Sequence, residues 1–311
     1  MPKKYITARF IFVSLLTGLV LSPLPAQDVP DTGEAKMVAA IFSRALVDGE
    51  TYQLLDSLCH NIGHRLSGSP GAAKAVEWTK KVMENYDFDN VRLQPVMVPH
   101  WERGDMEICR VVDSESAGTF DLNALAIGGS VATPDAGLTA PVIEVHSLEE
   151  VDEIGAERLR GKIVFYNRAF DQANIQTGAG YGGAVDQRAY GASRAAKYGA
   201  AAIVIRSVTS AFDDVPHTGA LSYAGDSAKI PAAALGYQSA NRLAELLRKE
   251  KTVNLFLKMN CRWLPDAQSY NVLGELRGSE KPAEIIVVGG HLDSWDVGQG
   301  AHDDGAGCMQ S

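Results

Sequence analysis

Two short runs, Lys162-Ile163-Val164-Phe165-Tyr166 and Ala202-Ile203-Val204-Ile205, are apolar at successive positions rather than at alternate ones. A strand of that kind has to be covered on both faces, which a sheet with one wet side does not provide. Between them, Ala189 to Tyr198 reads as a helix, so the three segments predict a βαβ-like unit and an α/β fold class. A further run, Glu284-Ile285-Ile286-Val287-Val288, is apolar on both faces as well and predicts the central strand of a second covered sheet.

The rest of the chain is organised around these runs. Residues 33–48 and 50–59 place apolar side chains at helical spacing, among them Met37, Ala40, Ile41, Ala45 and Leu46, and predict packed helices. Ser69-Pro70 is a helix start: the hydroxyl can accept from a free amide, and proline suits the first turn. Val91 to Val98 and Met106 to Val112 alternate as strands do. Near residue 117 the composition turns to Gly, Ala and short β-branched runs, and it returns near 265. The helix Asn241 to Lys249 and the strand Val253 to Leu257 close that stretch as a module. The predicted organisation is residues 27–116 as the first part of one domain, 117–265 as an inserted α/β domain, and 266–311 as the first domain resumed.

Lys3, Lys4 and Arg9 precede an apolar stretch from Phe10 to Leu21, and Leu24-Pro25-Ala26 offers a small residue for cleavage. This predicts an export signal, residues 1–26, removed after Ala26. The apolar stretch falls short of the ~20 residues that span a bilayer, so the mature chain is expected off the membrane, secreted or periplasmic. With 38 acidic against 29 basic residues and no Lys/Arg cluster, a nucleic-acid partner is not expected. Cys59, Cys109, Cys261 and Cys308 form no CxxC pair, and three full disulfide pairings remain open alongside free thiols.

Chemistry concentrates after the last apolar run. His291 and Asp293 lie two positions apart and share a face in extended chain, where the carboxylate can accept the second imidazole N–H and fix the tautomer that faces a metal. Asp303 and Asp304 follow in a glycine-flanked turn, and adjacent carboxylates there call for a neutralising cation. Imidazole nitrogen with carboxylate oxygen suits zinc. The loop Ile62-Gly63-His64-Arg65-Leu66-Ser67-Gly68-Ser69 carries a His and an Arg that either line a cleft or bond locally. His60, His146, His217 and His302 have no partner pattern and are expected to be structural or on the surface.

The whole string from His291 to Gly305, His-Leu-Asp-Ser-Trp-Asp-Val-Gly-Gln-Gly-Ala-His-Asp-Asp-Gly, resembles the co-catalytic zinc exopeptidases, a metallopeptidase family. The likeness extends to Ile62–Gly71, Ala75-Val76-Glu77-Trp78 and Val98-Pro99-His100-Trp101, and the inserted domain looks like a protease-associated domain. The resemblance implies a phosphorylase/hydrolase-like mixed sheet with helices on both faces, two zinc ions, His291 on one zinc, Asp303 bridging both, Asp293 as the catalytic residue that orients His291, and a cis peptide between Asp303 and Asp304. It implies hydrolysis of dipeptides or short peptides with a free N-terminus, in a protein that can form a homodimer. The family's general base and remaining ligands have no counterpart before Ser311, so the chain is expected to stop within the catalytic domain, to bind zinc weakly by itself and to hydrolyse nothing alone. The competing readings are a broad zinc aminopeptidase and a non-catalytic, receptor-like binding protein of the same fold.

Overall fold

The computed structural model describes residues 33–223, 225 and 228–311; the expected export signal lies outside them. Two compact units divide at residue 50. The first contributes helix α1 (Gly33–Asp48), which buries none of its residues. Its expected packed face, including Met37 and Ile41, is exposed: helical spacing supplies an apolar stripe and does not by itself bury it.

The second unit begins with α2 (Thr51–Ser57), a π-helical turn at Leu58–Ile62, and α3 (Pro70–Asn85). Ser69 caps α3 as its sequence predicts, its Oγ accepting from the Ala72 amide at 3.2 Å, with Pro70 in the first turn. α3 packs on a long antiparallel ribbon made by β1 (Asp89–Glu102) and β10 (Arg262–Glu275). The ribbon register slips between Val98 and His100, where Pro99 and, on the other strand, Pro265 cannot both serve a regular ladder.

Between the ribbon strands lie β2 (Ile108–Ser114), β3 (Gly118–Leu122), β4 (Ala124–Ala126), β5 (Leu138–Val145), β6 (Ile163–Tyr166), β7 (Ala202–Arg206), β8 (Ala232–Leu235) and β9 (Asn254–Lys258). They form one eight-stranded mixed sheet in the order β3-β2-β9-β5-β6-β7-β8-β4. Strands β5 to β8 run parallel to their neighbours in that series. The connecting helices are α4 (Leu148–Leu159), α5 (Thr177–Gly182), α6 (Asp186–Ala196) and α7 (Tyr237–Lys249). β6, α6 and β7 are the βαβ unit that the two apolar runs predict.

Alternation explains the layering. Ile163 and Phe165 join Ala202, Val204 and Leu243 of α7 in one core, while Val164 and Tyr166 join Ile203, Ile205, Val151 of α4 and Ala192 of α6 in another. Successive residues of β6 thus feed opposite faces, and all are fully buried. Three thiols, Cys59, Cys109 and Cys261, are buried, and all four cysteines are free. Burial pushes the Cys109 thiol up to about 12 and the Cys261 thiol up to about 11, which keeps both protonated.

One expected strand does not form. Glu284–Val288 has no strand partner, and Ile285, Ile286 and Val287 are more than four-fifths exposed. A strand needs a neighbour for its amides and carbonyls, and an apolar pattern does not specify one. No described strand or helix covers this run, so the covered sheet of the structure is the one within 108–258. Short α8 (Ala306–Gln310) closes the described chain. No helix of the described residues is long and apolar enough to cross a membrane.

Candidate metal centre

The string His291 to Gly305 forms an irregular loop and a turn, held against the π-helical segment and the loop that follows it. His291 Nε2 lies 2.9 Å from Asp303 Oδ1, and its Nδ1 lies 3.1 Å from Asp293 Oδ1. The two-residue spacing therefore brings Asp293 onto the far nitrogen, which leaves the near one aimed at Asp303. Burial works against a charged imidazole here, but the hydrogen bond to Asp303 and the charge of Asp293 outweigh it, and His291 is held above its ordinary pKa.

Asp304 turns the other way. Its Oδ2 accepts from the His291 amide at 3.2 Å, and side chains at Gly290 or Gly307 would collide with its carboxylate. The peptide between Asp303 and Asp304 is cis. Cys308 Sγ donates to the His291 carbonyl at 3.2 Å, so α8 also touches the loop that presents the imidazole.

The donor chemistry of His291 and Asp303 fits zinc, and their 2.9 Å separation is near the about 3.3 Å between two ligands on a tetrahedral ion. Among the described residues no group of three or more His, Cys, Asp or Glu stands together as a metal set. Both side chains are more than half exposed, which leaves room for other ligands.

Sequence reasoning missed how the loop is held. Arg65 is fully buried, and its guanidinium donates to the carbonyls of Leu292, Gly63, Gln299 and Gly300 at 2.7, 2.9, 2.6 and 3.0 Å. Only the bond to Gly63 is the local kind expected of this loop; the other three reach the distant segment 292–300, and His64 is exposed. On the sheet side, Arg103 grips Asp296 with two hydrogen bonds of 2.8 and 2.7 Å, lies over the Trp101 ring and donates to the Ala126 carbonyl. Trp295 packs so closely over Gly128 that an added Cβ would sit 2.1 Å from its ring. Nothing in the sequence links residues 103 and 296; the only signal is that Asp296 sits in the motif without a role.

Gly300 is a tight point in the loop. It has φ +58, and a Cβ there would lie 2.3 Å from Ser294 Cβ and 2.7 Å from an Arg65 nitrogen. Gly300→Ala is expected to cost at least about 1–2 kcal/mol for the left-handed backbone, before the collision is counted. Urea denaturation checks this: an unchanged midpoint would mean that the loop relaxes freely.

Comparison with known proteins places this site in a class. Residues 271–311 match peptidase family M28. The solved structure of a peptidase M28 precursor from Shewanella amazonensis superposes with a TM-score of 0.81 at 35% identity, over 87% of this chain and 60% of that one. By these matches the chain is similar to M28 peptidases. Among curated proteins it is similar to carboxypeptidase Q: 39% identical to that of Xenopus laevis over 89% of the chain, and 36% identical to that of Homo sapiens over 90%. The chain spans 56% of the length of each of these relatives. A zinc aminopeptidase from Bacillus subtilis shares the fold at 22% identity, with a TM-score of 0.56 over 84% of this chain and 55% of that one.

Proposed function

We propose that this chain belongs to a zinc-dependent exopeptidase that hydrolyses dipeptides or short peptides with a free N-terminus, as its likeness to carboxypeptidase Q suggests. The observation that carries the reading is the convergence of His291 Nε2 and Asp303 Oδ1, with Asp293 behind the imidazole. His291 and Asp303 are the proposed zinc ligands, Asp303 shared between two ions, and Asp293 the residue that orients His291. When bound, zinc would polarise the scissile carbonyl and lower the pKa of a water.

The chain's own residues do the positioning. Asp293 accepts the Nδ1 proton and so fixes the tautomer that offers Nε2. Asp304 holds the His291 amide and Cys308 its carbonyl, which restrains the ligand's backbone on both sides. The ribbon and the eight-stranded sheet correspond to a peptidase domain interrupted by a protease-associated domain, and the expected export and homodimer belong to the same reading.

The test is zinc content after dialysis together with hydrolysis of a dipeptide and of a decapeptide by the complete gene product. About two zincs and dipeptide turnover, both lost in His291→Ala, are the expected result. Preferential trimming of the decapeptide would make it a broad aminopeptidase, and no hydrolysis with intact folding a binding protein. The 311-residue chain alone is expected to hold zinc weakly and to hydrolyse neither peptide, because among the described residues no third donor joins His291 and Asp303.

A further inference from the structure

Arg65 is the largest fully buried side chain of the described residues, and it is charged. Burial lowers its pKa, opposed by the nearby Cys59, Cys308 and Asp293, yet no carboxylate stands within ion-pairing distance among the described residues. A buried cation without a partner carboxylate costs several kcal/mol unless its donors are all used. Here four of the five guanidinium N–H donors are used on backbone carbonyls. Nε reaches Leu292, between His291 and Asp293; Nη1 and Nη2 reach Gln299 and Gly300, just ahead of the Asp303 turn. The main chain adds a second attachment: the Arg65 amide donates to Ser294 Oγ at 3.0 Å, and the Ser294 amide donates to the Arg65 carbonyl at 3.1 Å.

One rigid guanidinium thus ties the segment carrying His291 to the segment carrying Asp303. Its planar fork supplies donors in fixed directions, which a lysine ammonium at the end of a flexible stem does not. Gly300 has no side chain at the place where Nη2 must enter. Arg65 touches neither ligand side chain, so any effect it has on them passes through the backbone.

We propose that Arg65 is a positioning residue of the metal centre: it clamps both arms of the loop and so sets the distance between His291 Nε2 and Asp303 Oδ1. The inference rests on the ligand roles proposed above for its consequence in metal binding, while the clamp itself can be measured without metal.

The experiment compares the wild-type chain with Arg65→Lys and Arg65→Met, using Phe165→Ala as a variant destabilised in the core of the eight-stranded sheet. Three readouts are taken: amide exchange across residues 290–305, the ¹⁵N signals of the His291 imidazole, and zinc affinity by chelator competition. Both Arg65 variants are expected to speed exchange in 290–305, to shift the His291 nitrogens and to weaken zinc binding by about 10–100-fold, the range for outer supporting residues. Phe165→Ala should leave all three in place. Wild-type behaviour in Arg65→Lys would overturn the clamp in favour of charge alone, and wild-type behaviour in Arg65→Met would overturn it outright. If Arg65→Met does not fold, Arg65→Lys and Ser294→Ala decide the matter by the same readouts. Should the wild type take up no zinc at all, the proposed ligand roles fail, and exchange with the imidazole signals alone judges Arg65.

Discussion

Asp296→Ala should destabilise the protein by about 3 kcal/mol, because it leaves the Arg103 guanidinium buried and short of its two-pronged partner. Arg103 is 8% exposed and Asp296 17%, so solvent does little to relieve the stranded charge. Removing one member of a buried pair typically costs about 3–5 kcal/mol; the residual exposure of Asp296, and the distance of 3.6 Å from Arg103 to Glu107, place the expectation at the lower end. Replacing both partners by apolar residues, as in Arg103→Met with Asp296→Leu, should recover only part of the loss, because it takes the cation away from the buried Glu107 carboxylate. Urea unfolding of the two single variants and the double variant measures the coupling directly. A loss below about 0.5 kcal/mol in Asp296→Ala would make the pair an ordinary surface contact.

Phe165→Ala should cost about 3–5 kcal/mol, through lost burial and the cavity left behind. Phe165 is fully buried in β6, with strands paired on both sides and α7 completing the same core. For a domain of this size that corresponds to a fall in Tm of about 6–20 °C. Phe165→Leu, which keeps most of the volume, should lose much less. Equal losses in the two variants would show that the aromatic ring's volume is not what the core uses. Calorimetry resolves the difference, and the expected insulation of His291 from this change is what makes the variant useful as a control.

The parts of the fold that a single segment dictates were legible. Ser69 and Pro70 begin a helix by local means, and the two apolar runs at 163–166 and 202–206 form strands covered on both faces. Glu284–Val288 shows the limit: its pattern is the same, but pairing is supplied by other residues, and no described strand takes it. The site divides in the same way. His291 and Asp293 are two apart and Asp303 follows twelve positions after His291, so the motif itself names the three side chains that meet. Arg65 and Arg103 reach across 227 and 193 residues, one to a backbone carbonyl and the other to a carboxylate, and neither kind of partner leaves a trace in local sequence.

The β1–β10 ribbon sets how the chain's parts can vary. Glu102 and Arg262 are cross-strand neighbours, joined also by their side chains at 2.6 and 2.8 Å, so the 159-odd residues between them leave and re-enter at adjacent points about 5 Å apart. A segment tethered in that way can be lengthened or exchanged without re-threading the remainder, provided that the contacts of Arg103 with Asp296 and of Gly128 with Trp295 are kept.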